Sequence, residues 1–179
     1  MTERRVLVGM IHGRFQPFHN GHLEYLRESV ERSGAIVVGI TNADRGSTRH
    51  EETDVHRSAA EANPWTYLER YRMIRGVLAA EGLGDCAVVP FPISDPTLLA
   101  SYVEPGTTHF IRVLDDWGRE KAARLRAHGH SVVELPAPDR KHVSGSDVRE
   151  RLRSGGDWRS LVPLAVAKVI DAQDLHRSA

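Results

Sequence analysis

Val6-Leu7-Val8-Gly9-Met10-Ile11-His12-Gly13-Arg14-Phe15-Gln16-Pro17-Phe18-His19-Asn20-Gly21-His22 is the stretch from which the rest of the chain is read. Residues 6–11 are apolar and partly β-branched with little alternation, the pattern of a strand buried on both faces of a parallel sheet. After the turn, Leu23, Leu26 and Val30 recur at near-helical spacing, with Asn20 as the expected cap and Gly34 as the expected stop. Residues 35–40 follow as a second strand around Ile36-Val37-Val38. Strand, helix, strand requires a right-handed crossover, hence a Rossmann-like α/β sheet. A strand, a glycine-containing turn and a helix also make the usual cradle for nucleotide phosphates, at the carboxyl ends of the strands. His19 and His22 can point both imidazoles at one phosphate chain, and Arg14 adds a planar cationic fork suited to phosphate oxygens. Gly13, Phe15 and Gly21 complete the expected nucleotide-binding turn, Gly21 allowing close backbone approach. Neither GxxxxGK[ST] nor GxGxxG is present, so the turn is not a P-loop or a dinucleotide fingerprint.

Outward from that unit, residues 41–63 are polar and lack sustained periodicity, a length that in a compact domain marks a substrate-covering loop. A helix is expected from about residue 63 to residue 80, with Leu68, Tyr71, Met73, Ile74, Val77 and Leu78 as its buried stripe. Strands are expected at 87–91, 108–114 and 131–135, a short helix at 97–103, and a charged helix at 117–127. Ser144 or Ser146 caps a further helix, and a last one spans about 158–172 with Leu161, Leu164, Val166, Val169 and Ile170 inward. The sum is α/β: a Rossmann-like five-stranded parallel sheet with helices on both faces and a small C-terminal helical segment, residues 144–179. At 179 residues the chain is expected to form one domain.

Composition narrows the function classes. Twenty-four basic and 24 acidic residues predict no broad nucleic-acid footprint. No apolar run approaches the length of a membrane helix, and 6–11 is too short for a signal core, so a cytoplasmic enzyme is expected. Cys86 is alone, which excludes an internal disulfide and suits a reducing compartment; beside Ala87-Val88-Val89 it reads as an inert buried thiol. No Cys/His cluster suggests a structural metal. His12, His56, His109, His128, His130 and His176 are assigned to surface or packing.

His19-Asn20-Gly21-His22, in the longer form GRFQPFHNGH, resembles the H-x-G-H signature of the nucleotidyltransferase superfamily. It looks most like the archaeal-type nicotinamide-mononucleotide adenylyltransferases. Asn63-Pro64-Trp65-Thr66-Tyr67-Leu68-Glu69-Arg70 is similar to their NPFTAGER segment, and residues 156–163 resemble their C-terminus. Val143-Ser144-Gly145-Ser146-Asp147-Val148-Arg149 looks like the superfamily's late signature at a helix N-terminus. The resemblance implies that His19 and His22 contact a triphosphate, that Arg14 helps hold it, and that Ser144, Gly145 and Ser146 bind its outer phosphates. Arg149 would stabilise the leaving pyrophosphate. Mg²⁺ would enter with the nucleotide, held largely by phosphates and water.

Two departures shift the expected substrate. Asp115-Asp116-Trp117, with Lys121 after three intervening residues, stands where an Asn-containing turn is usual, and resembles the DDW-x-x-K stretch of glycerol-phosphate and related cytidylyltransferases, with the lysine one position later. A carboxylate there can accept from cytosine's exocyclic amine while Trp117 packs beside the base; otherwise Asp115 or Asp116 caps the helix. On the acceptor side, no obvious aromatic near residues 95–99 stacks on nicotinamide, and Thr41, Asn42, Arg45, Arg49, His50 and Arg57 are candidates to clamp a small anion. The hybrid is similar to cytidylyltransferases of phosphonate natural-product pathways. It implies CMP transfer from CTP to a small phosphonate acid such as phosphonoformate, with ATP-dependent adenylylation of nicotinamide mononucleotide as the alternative. A nucleotide-sensing module without turnover is a third reading, disfavoured by intact His19, His22 and Arg149. The oligomeric state stays open, a homo-oligomer included.

Overall fold

The computed structural model describes residues 5–43, 62–138 and 143–177. In chain order they form β1 (Val6–Gly13), α1 (Asn20–Glu31), β2 (Ser33–Ile40), α2 (Tyr67–Ala80), β3 (Ala87–Pro90), β4 (Thr108–Arg112), α3 (Asp116–Ala127), β5 (Ser131–Leu135), α4 (Gly145–Ser154) and α5 (Leu164–Arg177). Short 3₁₀ turns occupy Pro96–Ser101 and Arg159–Leu161. The five strands make one parallel sheet in the order β3-β2-β1-β4-β5. The chain winds from β1 out through β2 to β3, then returns to lay β4 on the other side of β1. The direction of winding reverses between β1 and β4, so a crevice opens beyond the carboxyl ends of those two strands. The turn that carries His19 and His22 leaves β1 at that crevice.

Side-chain alternation along β1 and β4 feeds two cores. Ile11 and Phe110 face the larger one, where Tyr25 and Leu26 of α1, Met73, Ile74, Val77 and Leu78 of α2, Val148 of α4 and Val166 and Ile170 of α5 converge. Met10 and Ile111 face the other, filled by Phe91, Ile93, Leu99, Ala122 and Leu125. Burial of these apolar groups is the main force that closes helices onto both faces. His12 and His109 stand on the same face as Met10 and Ile111 and are 2% and 0% exposed. Their rings lie 5.4 Å apart, and that of His12 stacks on Phe91 at 4.3 Å. The packing role expected for them holds. Cys86 is half-buried, and desolvation is the main reason its thiol is pushed up.

Several local expectations are corrected. His19, not Asn20, is the N-cap of α1, and Asn20 instead donates to the Ser160 carbonyl at 2.9 Å. Gly34 lies inside β2, because α1 already stops at Arg32. The short helix expected at 97–103 is a 3₁₀ helix over Pro96–Ser101. The last helix begins at Leu164, after Pro163, and Leu164 is exposed. In α2, Leu68 is exposed and its inward position is taken by Arg70. The inward set 70, 73, 74, 77, 78 follows the helical period, which residue 68 does not share. Of the expected loop at 41–63, residues 44–61 lie outside the described residues.

Candidate active site

The turn after β1 is pinned by buried contacts. Phe15 adopts a left-handed backbone (φ 51°), and its ring is buried against Phe18 at 5.4 Å. The peptide bond between Gln16 and Pro17 is cis. The Gln16 side chain is 4% exposed and pairs with one residue in both directions. Its Nε2 donates to the Trp65 carbonyl at 2.9 Å, and its Oε1 accepts from the Trp65 N–H at 3.0 Å.

On that base the two imidazoles are stacked, with ring centroids 3.6 Å apart. The Phe15 and Phe18 rings enclose His22 at 4.9 and 5.4 Å. The His19 backbone N–H donates to His22 Nδ1 at 3.2 Å. With Nδ1 accepting, a neutral His22 carries its proton on Nε2, a donor suited to a phosphate oxygen. Burial is the main reason its pKa lies well below the ordinary histidine value, and His19, Lys121, Arg14 and Arg112 push the same way. The pocket is thus electropositive even with a neutral imidazole. Gly21 leaves room here: a Cβ would stand 3.3 Å from the His19 ring, close enough to press on it.

The late motif packs directly on this turn. Ser144 caps α4 and forms a capping box with Asp147, leaving the first N–H groups of the helix pointing out. Arg149 Nη1 donates to the Gln16 carbonyl at 2.5 Å, and its Nη2 to Ser146 Oγ at 3.0 Å. A Cβ on Gly145 would lie 2.7 Å from that same carbonyl, so only glycine lets α4 come so close. Burial and the nearby Arg153 draw the Arg149 pKa down, though a guanidinium stays cationic throughout the working range. The turn that carries the two stacked histidines, the N-terminus of α4 and the Arg149 guanidinium are thus packed together. That arrangement can bind a polyphosphate and stabilise charge on its oxygens.

The cytidylyltransferase-like family model matches residues 10–151. The chain belongs to that family. It is 45% identical to a phosphonoformate cytidylyltransferase of Streptomyces viridochromogenes, covering 90% of this chain and 89% of that protein. It is 33% identical to a nicotinamide-nucleotide adenylyltransferase of Picrophilus torridus over the same shares of the two chains. A bifunctional NMN adenylyltransferase/ADP ribose pyrophosphatase from Francisella tularensis superposes with a TM-score of 0.61 at 15% identity, covering 97% of this chain and 57% of that one. At that identity the likeness shows the fold. The protein is a nucleotidyltransferase, and it acts on nucleotide substrates.

In this cytidylyltransferase-like chain the other expected site residues divide. Gly13 ends β1 beside the Phe15 ring, and Phe15 itself is buried, so its side chain supports His22 from behind. Asp115 caps α3, its Oδ1 accepting from the Gly118 N–H at 2.8 Å. Asp116 is 87% exposed and pairs with Arg119. Trp117 sits on the smaller core with the Arg124 guanidinium 5.3 Å over its ring. Thr41 is buried, while Asn42 lines a cavity of about 290 Å³ with Phe91, Ile93, Asp95, Leu98 and Tyr102. Phe91 and Tyr102 are aromatic walls that residues 95–99 alone did not suggest. Arg45, Arg49, His50 and Arg57 lie outside the described residues.

Three residues were not foreseen. Gln16 and Arg70 serve the site through backbone contacts; both lie within the GRFQPFHNGH and NPFTAGER-like stretches, which do not say what the side chains bond. Lys121 of α3 is near enough for its charge to depress both His22 and His12. Its place four residues after Trp117, one beyond the lysine of the DDW-x-x-K pattern, was the available signal.

Proposed function

We propose that this protein transfers CMP from CTP to a small phosphonate acid such as phosphonoformate, releasing pyrophosphate. An acceptor oxygen attacks the α-phosphorus in line, the bond from that phosphorus to the α–β bridging oxygen breaks, and pyrophosphate leaves with that oxygen. The observation that carries the transferase reading is the contact between Arg149 and Gln16, which joins the early and late motifs across one crevice. What supports CTP and a phosphonate is the 45% identity to a phosphonoformate cytidylyltransferase over nine-tenths of both chains.

In this reading His22, through Nε2–H, and His19 hold the triphosphate, and Arg14 adds a fixed cation to the same chain of phosphates. The N–H groups at Gly145 and Ser146 take the outer phosphates, and Arg149 offsets the charge that builds on the departing pyrophosphate. Such a reaction needs positioning and charge stabilisation and no covalent intermediate. Among the described residues no group of three His, Cys, Asp or Glu side chains could hold a metal. Mg²⁺ would enter with the triphosphate, held by its oxygens and by water, and would neutralise charge on it. Asp115 or Asp116, with Trp117, would select cytosine. Thr41, Asn42 and the clamp of Arg45, Arg49, His50 and Arg57 would receive the acceptor, in a protein of cytoplasmic location.

Adenylylation of nicotinamide mononucleotide is the second reading, favoured by one observation: Phe91, Leu98 and Tyr102 give the cavity beside Asn42 an apolar, partly aromatic lining suited to a pyridine ring. Pyrophosphate release with CTP, ATP, GTP and UTP, each against phosphonoformate and nicotinamide mononucleotide, separates the two. CTP with phosphonoformate is expected to be fastest. Turnover of ATP with nicotinamide mononucleotide and none with CTP would overturn the lead reading.

A further inference from the structure

Arg70 projects inward from the first turn of α2 and is 2% exposed. A buried guanidinium needs its donors satisfied, and this one is met by backbone oxygens of the site. Nη1 donates to the Arg14 carbonyl at 2.8 Å and to the Thr41 carbonyl at 2.7 Å. Nη2 donates to the Asn42 carbonyl at 2.6 Å, and Nε to Thr66 within its own helix at 3.3 Å. One planar group therefore joins the end of β1 to the end of β2.

The clamped carbonyls occupy special positions. Among the described residues, Phe15 and Asn42 are the non-glycine residues with positive φ, 51° and 50°. The Arg14 carbonyl belongs to the peptide before Phe15; those of Thr41 and Asn42 belong to the peptides on either side of Asn42. Each left-handed residue is disfavoured for an L side chain and persists only where its surroundings impose it. Phe15 in turn buttresses His22, and Asn42 forms part of the cavity wall.

We propose that Arg70 is a positioning residue for the transfer reaction: by fixing the peptides around Phe15 and Asn42 it sets the triphosphate-binding turn and the acceptor cavity at a fixed mutual orientation. The inference rests on the proposed function for which sides of the site the two substrates occupy. In-line attack depends on that orientation, and small misplacements are costly. Lysine cannot replace the fork, because a point donor does not span three carbonyls from two segments.

The test compares Arg70→Lys with Leu78→Ala, a truncation in the larger core about two turns further along α2. Both are expected to lower Tm by about 5–15 °C. Assayed well below either Tm with the wild type's preferred nucleotide and acceptor, Leu78→Ala keeps kcat and both KM values within about twofold. Arg70→Lys loses about 100-fold in kcat/KM, with KM raised for both substrates. Arg70→Lys kinetics matching those of Leu78→Ala would overturn the inference. If Arg70→Lys does not fold, Arg70→Lys/Asn42→Gly replaces it, since glycine accepts the left-handed backbone without a clamp. A folded double variant with kcat/KM well below that of Asn42→Gly alone supports the inference; a double variant equal to Asn42→Gly alone, or one that fails to fold, assigns Arg70 to stability alone and overturns it. The preferred substrates of the wild type decide the proposed function separately, and the ratio of variant to wild type decides Arg70.

Discussion

Arg149 and Gln16, 133 positions apart in the chain, are joined by a 2.5 Å hydrogen bond from the guanidinium to the main-chain carbonyl. The carbonyl sits three residues before His19, so α4 is tied directly to the histidine turn. Arg149→Lys keeps the charge and loses this anchor. It is expected to lower kcat by about 100-fold while Tm falls by only about 2–4 °C. Steady-state kinetics and calorimetry on the same preparation check it; unchanged kcat removes Arg149 from the site.

His22 is held neutral by its enclosure and by nearby positive charge. A bound polyphosphate reverses that bias and raises its pKa, so binding takes up a proton and triphosphate affinity rises as pH falls. Titration calorimetry near pH 6, in two buffers of different ionisation enthalpy, should show proton uptake in the wild type and none from this source in His22→Ala. That variant, like Arg14→Ala, should fold while losing about two or more orders of magnitude in turnover. Equal proton uptake in wild type and variant would assign it elsewhere.

Asp115 and Asp116 have separable duties. Asp115 caps α3, so Asp115→Ala is expected to cost about 1 kcal/mol of stability whatever it does for the nucleotide. Asp116 is exposed, so Asp116→Asn should leave Tm unchanged and report on base choice alone. The expected outcome is a lower ratio of CTP to ATP turnover in Asp116→Asn. An unaltered ratio moves base selection to Asp115 or to backbone groups.

Acid should destabilise the protein through its buried imidazoles. Desolvation, aided by His130 and Lys121, lowers the His109 pKa from its ordinary value near 6.5 to about 4, and His12 is also lowered well below it. Between those limits the unfolded chain binds protons that the folded one refuses, so stability is full above pH 6.5 and is lost as pH drops towards 4. His109 contributes about 3 kcal/mol at most to that loss. Denaturant melts at pH 7.5 and 5 should show the loss in the wild type and a smaller one in His109→Leu, which has no proton to bind. An equal loss in both would refute the assignment.

The family was legible because it is written locally. A strand, a six-residue turn and a capped helix sit within the first 31 positions, and a second helix cap lies at residue 144. The parallel sheet followed from the strand–helix–strand order, since only a right-handed crossover closes it. Leu68 was misplaced because hydrophobicity alone does not reveal a buried arginine taking an inward helical position. Arg70 is buried since carbonyls of distant residues meet there, and main-chain acceptors are the same at every position.

The sequence by itself therefore determined the elements, the sheet and the residue types able to handle phosphates, because short-range periodicity and turn chemistry encode these. Only the tertiary structure decided how those residues meet: which carbonyl Arg149 finds, why Gly145 cannot be larger, and how one guanidinium spans the ends of β1 and β2. Such contacts join segments dozens of residues apart through backbone atoms, and only the folded chain brings them within reach.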